Sequence, residues 1–211
     1  MKNILFVASE SVPFIKTGGL ADVVGSLPKS LDKDKYDVRV FIPKYGCMKQ
    51  VMKDKLTYRT NFYLDYNWKS VYVGVMEAVV DGITFYFIDN EFYFSGPKPY
   101  CDDGLFEIEK YAFFSKAVLC ILPVIDFKPD VIHCHDWQTG LVPVYLDNFR
   151  YYMDYYKGIK TVMTIHNLKF QGVWGTQQVK DITGLADYYF TNDKIAEFVK
   201  KRGVYDVTES P

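Results

Sequence analysis

The stretch "NILFVASESVPFIKTGGLADVVGSLPKSL", residues 3–31, decides the fold. It opens with a near-continuous apolar run over 3–9, which is typical of a strand buried on both faces of a parallel sheet. Further along, apolar residues recur at helical spacing: Leu20, Val23, Val24, Leu27 and Leu31. The stretch therefore predicts a strand, a loop and a helix over 19–31, and Pro28 predicts that the helix kinks or stops there.

A second apolar run, "YDVRVFIP" (36–43), completes a β-loop-α-β unit of the length that a parallel crossover needs. The alternation resumes later, with strands predicted at 129–135 and 159–166. An amphipathic helix is predicted at 107–122, ended by Pro123, and another helix at 140–149. The sequence thus predicts an α/β fold with a Rossmann-like, doubly wound, mainly parallel sheet, in which "ILFVA", "VRVFI", "VIHC" and "TVMTI" are the central strands.

The pattern changes between these parts, from about Tyr58 onward. The segments "YRTNFYLDY", "WKSVYVGVMEAVV" and "ITFYFIDN" are rich in β-formers, and the Asp-Gly pair in "VVDGIT" predicts a tight turn between the last two. We therefore expect a β-rich, antiparallel or mixed insertion at the edge of the sheet. The proline and glycine content of "SGPKPYCDDG" (95–104) predicts a loop.

Composition excludes several classes of function. The 25 basic and 26 acidic residues leave a net charge of −1, which does not favour binding to nucleic acid or to an anionic membrane. No apolar stretch is long enough to span a bilayer, and no signal-peptide pattern opens the chain, so we expect a cytoplasmic protein. The 4 cysteines form no CxxC pair, which predicts reduced cysteines and no metal site.

Three polar clusters fall at predicted strand ends, where open α/β sheets bind ligands. In the first, Lys16-Thr17-Gly18-Gly19, the two glycines let the backbone approach a ligand closely, and the following helix presents free N–H groups to an anion. With Lys16 nearby, a phosphate-bearing ligand is the natural candidate, although neither GxxxxGK[ST] nor GxGxxG is present. The alternative, a chain reversal with a solvated lysine, stays open.

The second cluster is "HCHDWQTG". His133 and His135 lie on the same side of a strand by alternation, and we interpret His133 as a core histidine paired to the backbone. Two histidines on one strand are too few for a zinc site. Asp136 either caps the following helix or accepts hydrogen bonds from a sugar hydroxyl.

In the third cluster, "TIHNLKFQGVW", His166 and the amide of Asn167 suit the orientation of a polar substrate. The alternative is a histidine that only forms hydrogen bonds within its own loop. From this segment by itself, the alternative is favoured.

Together, "KTGGLADVVGSLP", "HCHDWQTGLVPVYL" and "TIHNLKFQGVW" occur in an order and spacing that resemble the N-terminal half of bacterial glycogen synthases and plant starch synthases. These are retaining glucosyltransferases that pass glucose from ADP-glucose to the non-reducing end of an α-1,4-glucan. The resemblance covers residues 1–195 and implies the GT-B architecture, in which two Rossmann-like domains face each other across a cleft. We expect residues 196–211 to be a divergent tail and the C-terminal Rossmann domain to be absent from this chain.

The resemblance implies roles for particular residues on the donor side of that cleft. Lys16 corresponds to the family's lysine that binds the phosphates of ADP-glucose. Gly18 and Gly19 correspond to the glycines whose backbone faces the same group.

On the glucose side, the resemblance implies that His166 is catalytic and sits at the transferred glucose, with its backbone carbonyl near the anomeric carbon. Asp136, also catalytic, would bind hydroxyls of glucose or acceptor. Tyr100 and Asn167 would line the same pocket and bind substrate.

The resemblance therefore implies a glycogen (starch) synthase, of which this chain is the N-terminal half, inactive by itself. Its partners would be ADP-glucose, a glycogen acceptor and a missing C-terminal domain. No cofactor or metal is expected, because no DxD-like carboxylate pair follows a predicted strand. The alternatives are a non-catalytic module that binds glucan or nucleotide sugar, and a truncated remnant.

Overall fold

A computed structural model describes residues 1–66 and 68–191. The strands are β1 (Lys2–Val7), β2 (Tyr36–Pro43), β3 (Thr57–Tyr66), β4 (Lys69–Val80), β5 (Ile83–Asp89), β6 (Val131–His135) and β7 (Lys160–Thr164). The helices are α1 (Gly19–Ser30), α2 (Gln50–Lys53), α3 (Glu91–Phe94), α4 (Gly104–Ile121), α5 (Leu141–Tyr152) and α6 (Thr176–Thr183). Short 3₁₀ turns cover Trp137–Thr139, Asp154–Tyr156 and Asp187–Phe190. None of the described helices is long and apolar enough to cross a membrane.

All the strands form one sheet in the order β3-β4-β5-β2-β1-β6-β7. The fully buried β1 residues Leu5 and Val7 lie at its centre, where β1 pairs in parallel with β2 on one side and with β6 on the other. β7 pairs in parallel with β6. The predicted α/β fold with a mainly parallel sheet is therefore confirmed. One detail was wrong: "TVMTI" is the edge strand of the described sheet, and its Val162 is 49% exposed.

The predicted β-rich insertion is also confirmed. β3 pairs with β4 and β4 with β5, both antiparallel. Asp81 and Gly82 have φ values of 54° and 77°, the backbone that the two-residue hairpin turn requires. β5 continues in parallel beside β2, so the last strand of the insertion is also part of the parallel core.

Two helix predictions need correction. α1 runs through Pro28 to Ser30, so the helix does not stop at the proline, and the alternative of a kink there stays a prediction. Pro28 falls in the last turn, where it removes only one backbone bond of the helix. α4 begins at Gly104, because the Asp103 carboxylate accepts hydrogen bonds from the Leu105 and Phe106 N–H groups at 3.1 Å each.

α4 is also not amphipathic, because it is buried around most of its circumference. Its apolar residues Phe113 and Leu119 lie in the core, and its charged residues Glu107 and Lys110 are 5% and 2% exposed. The helix contacts helices α5 and α6 as well as strands β3 and β5. It is therefore a central helix of the domain and not a surface helix.

Gly25 gives a direct test of how α1 is fixed against the sheet. A Cβ at Gly25 would lie 2.7 Å from the Val12 carbonyl oxygen, and the Val12 N–H is itself bonded to Ala21 of α1 at 3.1 Å. We expect Gly25→Ala to lower the free energy of unfolding by about 1–3 kcal/mol, because this backbone contact cannot relax. Urea denaturation measures the change.

Gly19→Ala is the matched control, since it lies on the same helix and a Cβ there would meet no atom within 4 Å. It should change stability by less than about 0.5 kcal/mol. Equal stability of the two variants would contradict the packing described here.

Candidate active site

An open cleft of about 1100 Å³ lies beyond the carboxyl ends of β1, β6 and β7. From β1 the chain crosses over to β2 on one side, whereas β6 lies on the other side, so the strand order reverses between β1 and β6. Ligands of open α/β sheets bind at this reversal. The cleft brings together six of the predicted site residues: Gly18, Gly19, Tyr100, Asp136, His166 and Asn167.

Lys16, the seventh predicted site residue, is not among the residues that line the cleft. Its exposed ammonium instead forms an ion pair with Asp22, in the first turn of α1, at 2.7 and 2.8 Å from the two carboxylate oxygens. Both side chains are about half exposed, at 52% and 54%. A phosphate contact would therefore require Lys16 to leave Asp22.

Glu10 is a cleft residue that sequence reasoning missed. It is 2% exposed, and its carboxylate accepts hydrogen bonds from the Thr17 N–H and, at 3.0 Å, from the Thr17 hydroxyl. Burial raises the pKa of Glu10, while hydrogen bonds from Thr17 and the Gly18 backbone oppose that rise. A buried carboxylate therefore holds the turn that leads into α1. No sequence motif identifies Glu10 as a site residue. Its contact with Thr17 forms only when the loop between them folds.

Asp136 has a backbone conformation that is unfavourable for any residue with a side chain, with φ 57° and ψ 178°. Such strain costs about 1–3 kcal/mol and is found where the surroundings impose it, often at functional sites. Here the Asp136 N–H donates to the Thr164 carbonyl at 2.9 Å, and its carboxylate accepts from the His166 N–H at 2.6 Å. Asp136 is in the N-cap position of the 3₁₀ turn Trp137–Thr139, as the helix-cap alternative has it, but its side chain makes no cap hydrogen bond.

The side-chain rings of His133, His135 and His166 form a continuous row. His133 and His135 lie on one face of β6, with ring centroids 4.2 Å apart, as alternation predicted. His133 pairs with the Thr164 hydroxyl at 2.7 Å, not with the backbone. His135 Nδ1 lies 2.9 Å from His166 Nε2. Burial, and then the neighbouring histidines, lower the pKa of His135 to about 3, and burial lowers that of His133 as well.

Tyr100 and Asn167 occupy different positions in the cleft. The Tyr100 hydroxyl lies 2.8 Å from the Ser9 hydroxyl, and burial raises the pKa of this phenol, with Glu10 adding to the shift. Asn167 is exposed, and its side-chain oxygen accepts from the Lys169 N–H at 2.9 Å. That oxygen is therefore used in a hydrogen bond within its own loop.

The residues flanking Tyr100 are fixed by a buried ion pair on α4. Lys110 and Glu107 lie 2.7 Å apart, with side chains 3% and 7% exposed. The Lys110 ammonium also donates to the Pro99 carbonyl at 2.8 Å, and Glu107 accepts from the Cys101 N–H at 2.8 Å. Sequence reasoning missed this pair, because charges three residues apart on a helix are usually solvated.

Two tryptophans form an aromatic wall of the cleft, and sequence reasoning missed both. Trp137 and Trp174 have ring centroids 4.8 Å apart. Gly172, at φ 65°, lies so close that a Cβ would be 2.6 Å from the Trp137 ring. The glycine in "QGVW" was the only sequence signal, since close approach at a positive φ requires glycine. Apolar walls with a few polar groups are typical of small-ligand sites.

No group of three or more His, Cys, Asp or Glu side chains suited to a metal ion occurs in the described parts of the chain. The expectation that no metal or cofactor is needed stays a prediction.

The sheet, its reversal point and this cleft define a Rossmann-like domain with a ligand site at the strand ends. A family model described as the starch synthase catalytic domain matches residues 3–205, and the chain belongs to this family. The predicted family resemblance is thereby confirmed. The predicted domain boundary at 195 and the divergent tail at 196–211 lie outside the described residues.

The relatives agree with this assignment. The chain is 61% identical over 199 residues to the glycogen synthases of Lachnospira eligens and Lachnoclostridium phytofermentans, covering 94% of this chain and 41% of each of theirs. It therefore spans about two-fifths of the length of these relatives.

A solved structure shows the same fold. The catalytic domain of starch synthase IV from Arabidopsis thaliana bound to ADP and acarbose matches with a TM-score of 0.76 and 28% identity. The match covers 92% of this chain and 39% of that one. The predicted fold, the Rossmann-like N-terminal half of a GT-B glycosyltransferase, is confirmed by this match.

The buried ion pair on α4 gives a test of how the Tyr100 loop is held. Lys110→Met should lower the free energy of unfolding by about 3–5 kcal/mol, because Glu107 would be left buried without its cation. Urea denaturation of the purified variant measures the loss.

Lys157→Met is the matched control. Lys157 also pairs with a carboxylate three residues away, Asp154, but the two side chains are 66% and 91% exposed. That variant should change stability by less than about 1 kcal/mol. A similar loss in both variants would show that burial of the α4 pair is not what matters.

Proposed function

We propose that this chain is the N-terminal catalytic domain of a glycogen synthase, which transfers glucose from ADP-glucose to the non-reducing end of an α-1,4-glucan with retention of configuration. The observation that carries the proposal is the convergence of the Gly18-Gly19 turn, Asp136 and His166 on one cleft. The 61% identity to glycogen synthases supports it. So does the match to a starch synthase domain bound to ADP and acarbose.

On the donor side, the N-terminus of α1 would bind the diphosphate. Free N–H groups and the helix dipole favour an anion at this position. The space above Gly19 is open, since a Cβ there would meet nothing within 4 Å. The Thr17 N–H already donates a hydrogen bond to Glu10. The phosphate would therefore approach from the Gly19 side of the turn. Lys16 would exchange Asp22 for a phosphate oxygen.

On the glucose side, Asp136 and His166 would hold the transferred sugar. A carboxylate accepts hydrogen bonds from sugar hydroxyls, and a neutral imidazole can donate or accept one. The His166 backbone is fixed by the 2.6 Å bond from its N–H to Asp136. That bond would also fix the carbonyl that the family resemblance places near the anomeric carbon. Tyr100 and the Asn167 amide would complete the pocket.

The reaction as proposed uses no metal or cofactor from this chain, and its setting would be the cytoplasm. A C-terminal domain, in the part of the relatives that this chain does not span, would supply the opposite wall of the cleft. The second candidate is a module that binds glucan or nucleotide sugar without turnover.

The two candidates differ in turnover by a longer version of this chain, since neither predicts robust turnover by the 211 residues alone. We expect the purified 211-residue chain to transfer glucose from radiolabelled ADP-glucose to glycogen very slowly or not at all. These 211 residues supply one wall of the proposed cleft, and misplacement of reacting groups by an ångström can cost about 100-fold in rate. A longer version that continues as its relatives do is the positive control. Robust transfer by the chain alone would contradict this prediction, and an inactive longer version would contradict the proposed synthase.

Lys16 and His166 should have separable roles in the longer version. Lys16→Ala removes a charge-assisted contact worth about 1.5–3 kcal/mol, so ADP affinity should fall roughly 10- to 150-fold. His166→Ala should mainly lower kcat and leave ADP affinity nearly unchanged, because ADP lacks the glucose. Calorimetry with ADP and steady-state kinetics measure both effects.

Lys29→Ala is the matched control, because Lys29 pairs with Asp81 at the far end of α1 from the cleft, at 2.6 Å. It should leave ADP affinity and kinetics unchanged. The assigned roles are wrong if His166→Ala weakens ADP as much as Lys16→Ala does, or if Lys16→Ala resembles Lys29→Ala.

A further inference from the structure

His135 is a buried histidine that the proposed reaction does not use. Its side chain is 0% exposed, so it cannot contact a ligand in the cleft. Its Nδ1 lies 2.9 Å from Nε2 of His166, which lines the cleft, and the two ring planes are only 17° apart. This is the geometry of a direct hydrogen bond between two imidazoles.

A hydrogen bond between two ring nitrogens contains one proton, and there are two ways to place it. In the first, His135 Nδ1–H donates to the Nε2 lone pair of His166, whose own proton must then be on Nδ1. In the second, His166 Nε2–H donates to Nδ1 of His135, whose own proton must then be on Nε2.

The surroundings of His135 distinguish these arrangements. Its Nε2 is buried and has no hydrogen-bond partner among the residues that the structure describes. The ring packs between Phe6, with centroids 5.5 Å apart, and His133, at 4.2 Å. The second arrangement would bury an N–H group without an acceptor. Backbone N–H groups in that condition are rarer in protein interiors than under-satisfied acceptors, and the same desolvation argument applies to an imidazole.

We propose that His135 is a positioning residue, which holds His166 as the neutral tautomer with its proton on Nδ1. In this arrangement His166 Nε2 is occupied as an acceptor, so the ring can only donate, through Nδ1–H. The inference deepens the proposed function and rests on it for its meaning, because it assigns His166 the part of a fixed donor toward a sugar oxygen.

Two further observations support a fixed donor. Burial keeps the pKa of His135 low, at about 3, so His135 stays neutral near pH 7 and carries one ring proton. The His166 backbone is held separately, through the 2.6 Å bond from its N–H to Asp136. Ring and backbone of His166 are thus both held by the end of β6, before any ligand binds.

Nitrogen-15 NMR can read the tautomer directly, and the chain has only 3 histidines to assign. In histidine-labelled protein at neutral pH, we expect His166 to show a protonated Nδ1 and an unprotonated Nε2, and His135 to show the same pattern. A His166 ring with its proton on Nε2, or with protons on both nitrogens, would overturn the proposal.

Two substitutions test whether His135 is the cause. Asn places an amide N–H close to the position of the histidine Nδ1, so His135→Asn should retain the Nδ1–H tautomer of His166. His135→Leu removes the donor, and the His166 nitrogen signals should move toward the average of two tautomers. Unchanged His166 signals in His135→Leu would overturn the proposal.

His133→Asn is the matched control on the same strand, because His133 bonds to Thr164 and not to His166. It should leave the His166 tautomer unchanged, whereas a change equal to that of His135→Leu would overturn the assignment to His135. Circular dichroism checks that each variant is folded. If His135→Leu does not fold, the wild-type spectrum and His135→Asn still decide.

The NMR readout does not depend on turnover. A protein with the predicted tautomer whose longer version transfers no glucose would contradict the proposed function and leave the role of His135 intact. If the longer version transfers glucose but His166 lacks the predicted tautomer, only the role of His135 is contradicted.

Discussion

The parallel pairing of β1 with β6 is the constraint on which the site depends. Its register places Val7 beside Cys134, so the two strands end at the same level. β7 then pairs with β6 so that Thr164 lies beside His135. Three segments far apart in sequence therefore leave the sheet together, and their first polar residues meet at one edge. A shift of one residue in either pairing would turn the histidines to the opposite face.

Hydrogen bonds from residues that follow the strands hold two segments of the cleft in place. Asp136 joins the end of β6 to the loop after β7, and Glu10 joins the end of β1 to the turn before α1. Both carboxylates accept backbone N–H groups, and such charge-assisted bonds are stronger than neutral ones. The strained backbone of Asp136 is consistent with this arrangement, since strain persists only where the surroundings impose it.

The cleft is one wall of a larger site in the proposed enzyme. The aromatic surface of Trp137 and Trp174 and the polar surface of Asp136 and His166 face open space and not a second layer of this domain. Electrostatic stabilisation of a leaving diphosphate is usually a large part of catalysis in such a reaction. Among the described residues, the positive charge near the cleft comes from Lys169, which lines it, from the start of α1, and from Lys16, which precedes the lining residue Thr17 and is paired with Asp22.

The sequence by itself determined the sheet, most of its strands and the three clusters at its edge. Apolar residues that recur with a period of 2 or 3.6 indicate directly which face of a strand or helix is buried. The Asp81-Gly82 turn is predictable because a two-residue hairpin turn requires positive φ values, which this residue pair favours. Local signals were less reliable at helix ends. Pro28 did not stop α1, and α4 was misread as amphipathic, because only tertiary packing shows that its polar residues are also buried.

Only the tertiary structure decided what the polar residues contact. The sequence indicated Lys16 correctly as part of the turn, but not that Asp22 holds it. It identified Asp136 and His166 as separate candidates, but not the bond between them or the bond from His166 to His135. Each of these last two contacts joins residues about 30 positions apart, and no local pattern encodes such a distance. The physical reason is that hydrogen-bond partners are set by sheet register, which exists only once the strands have paired.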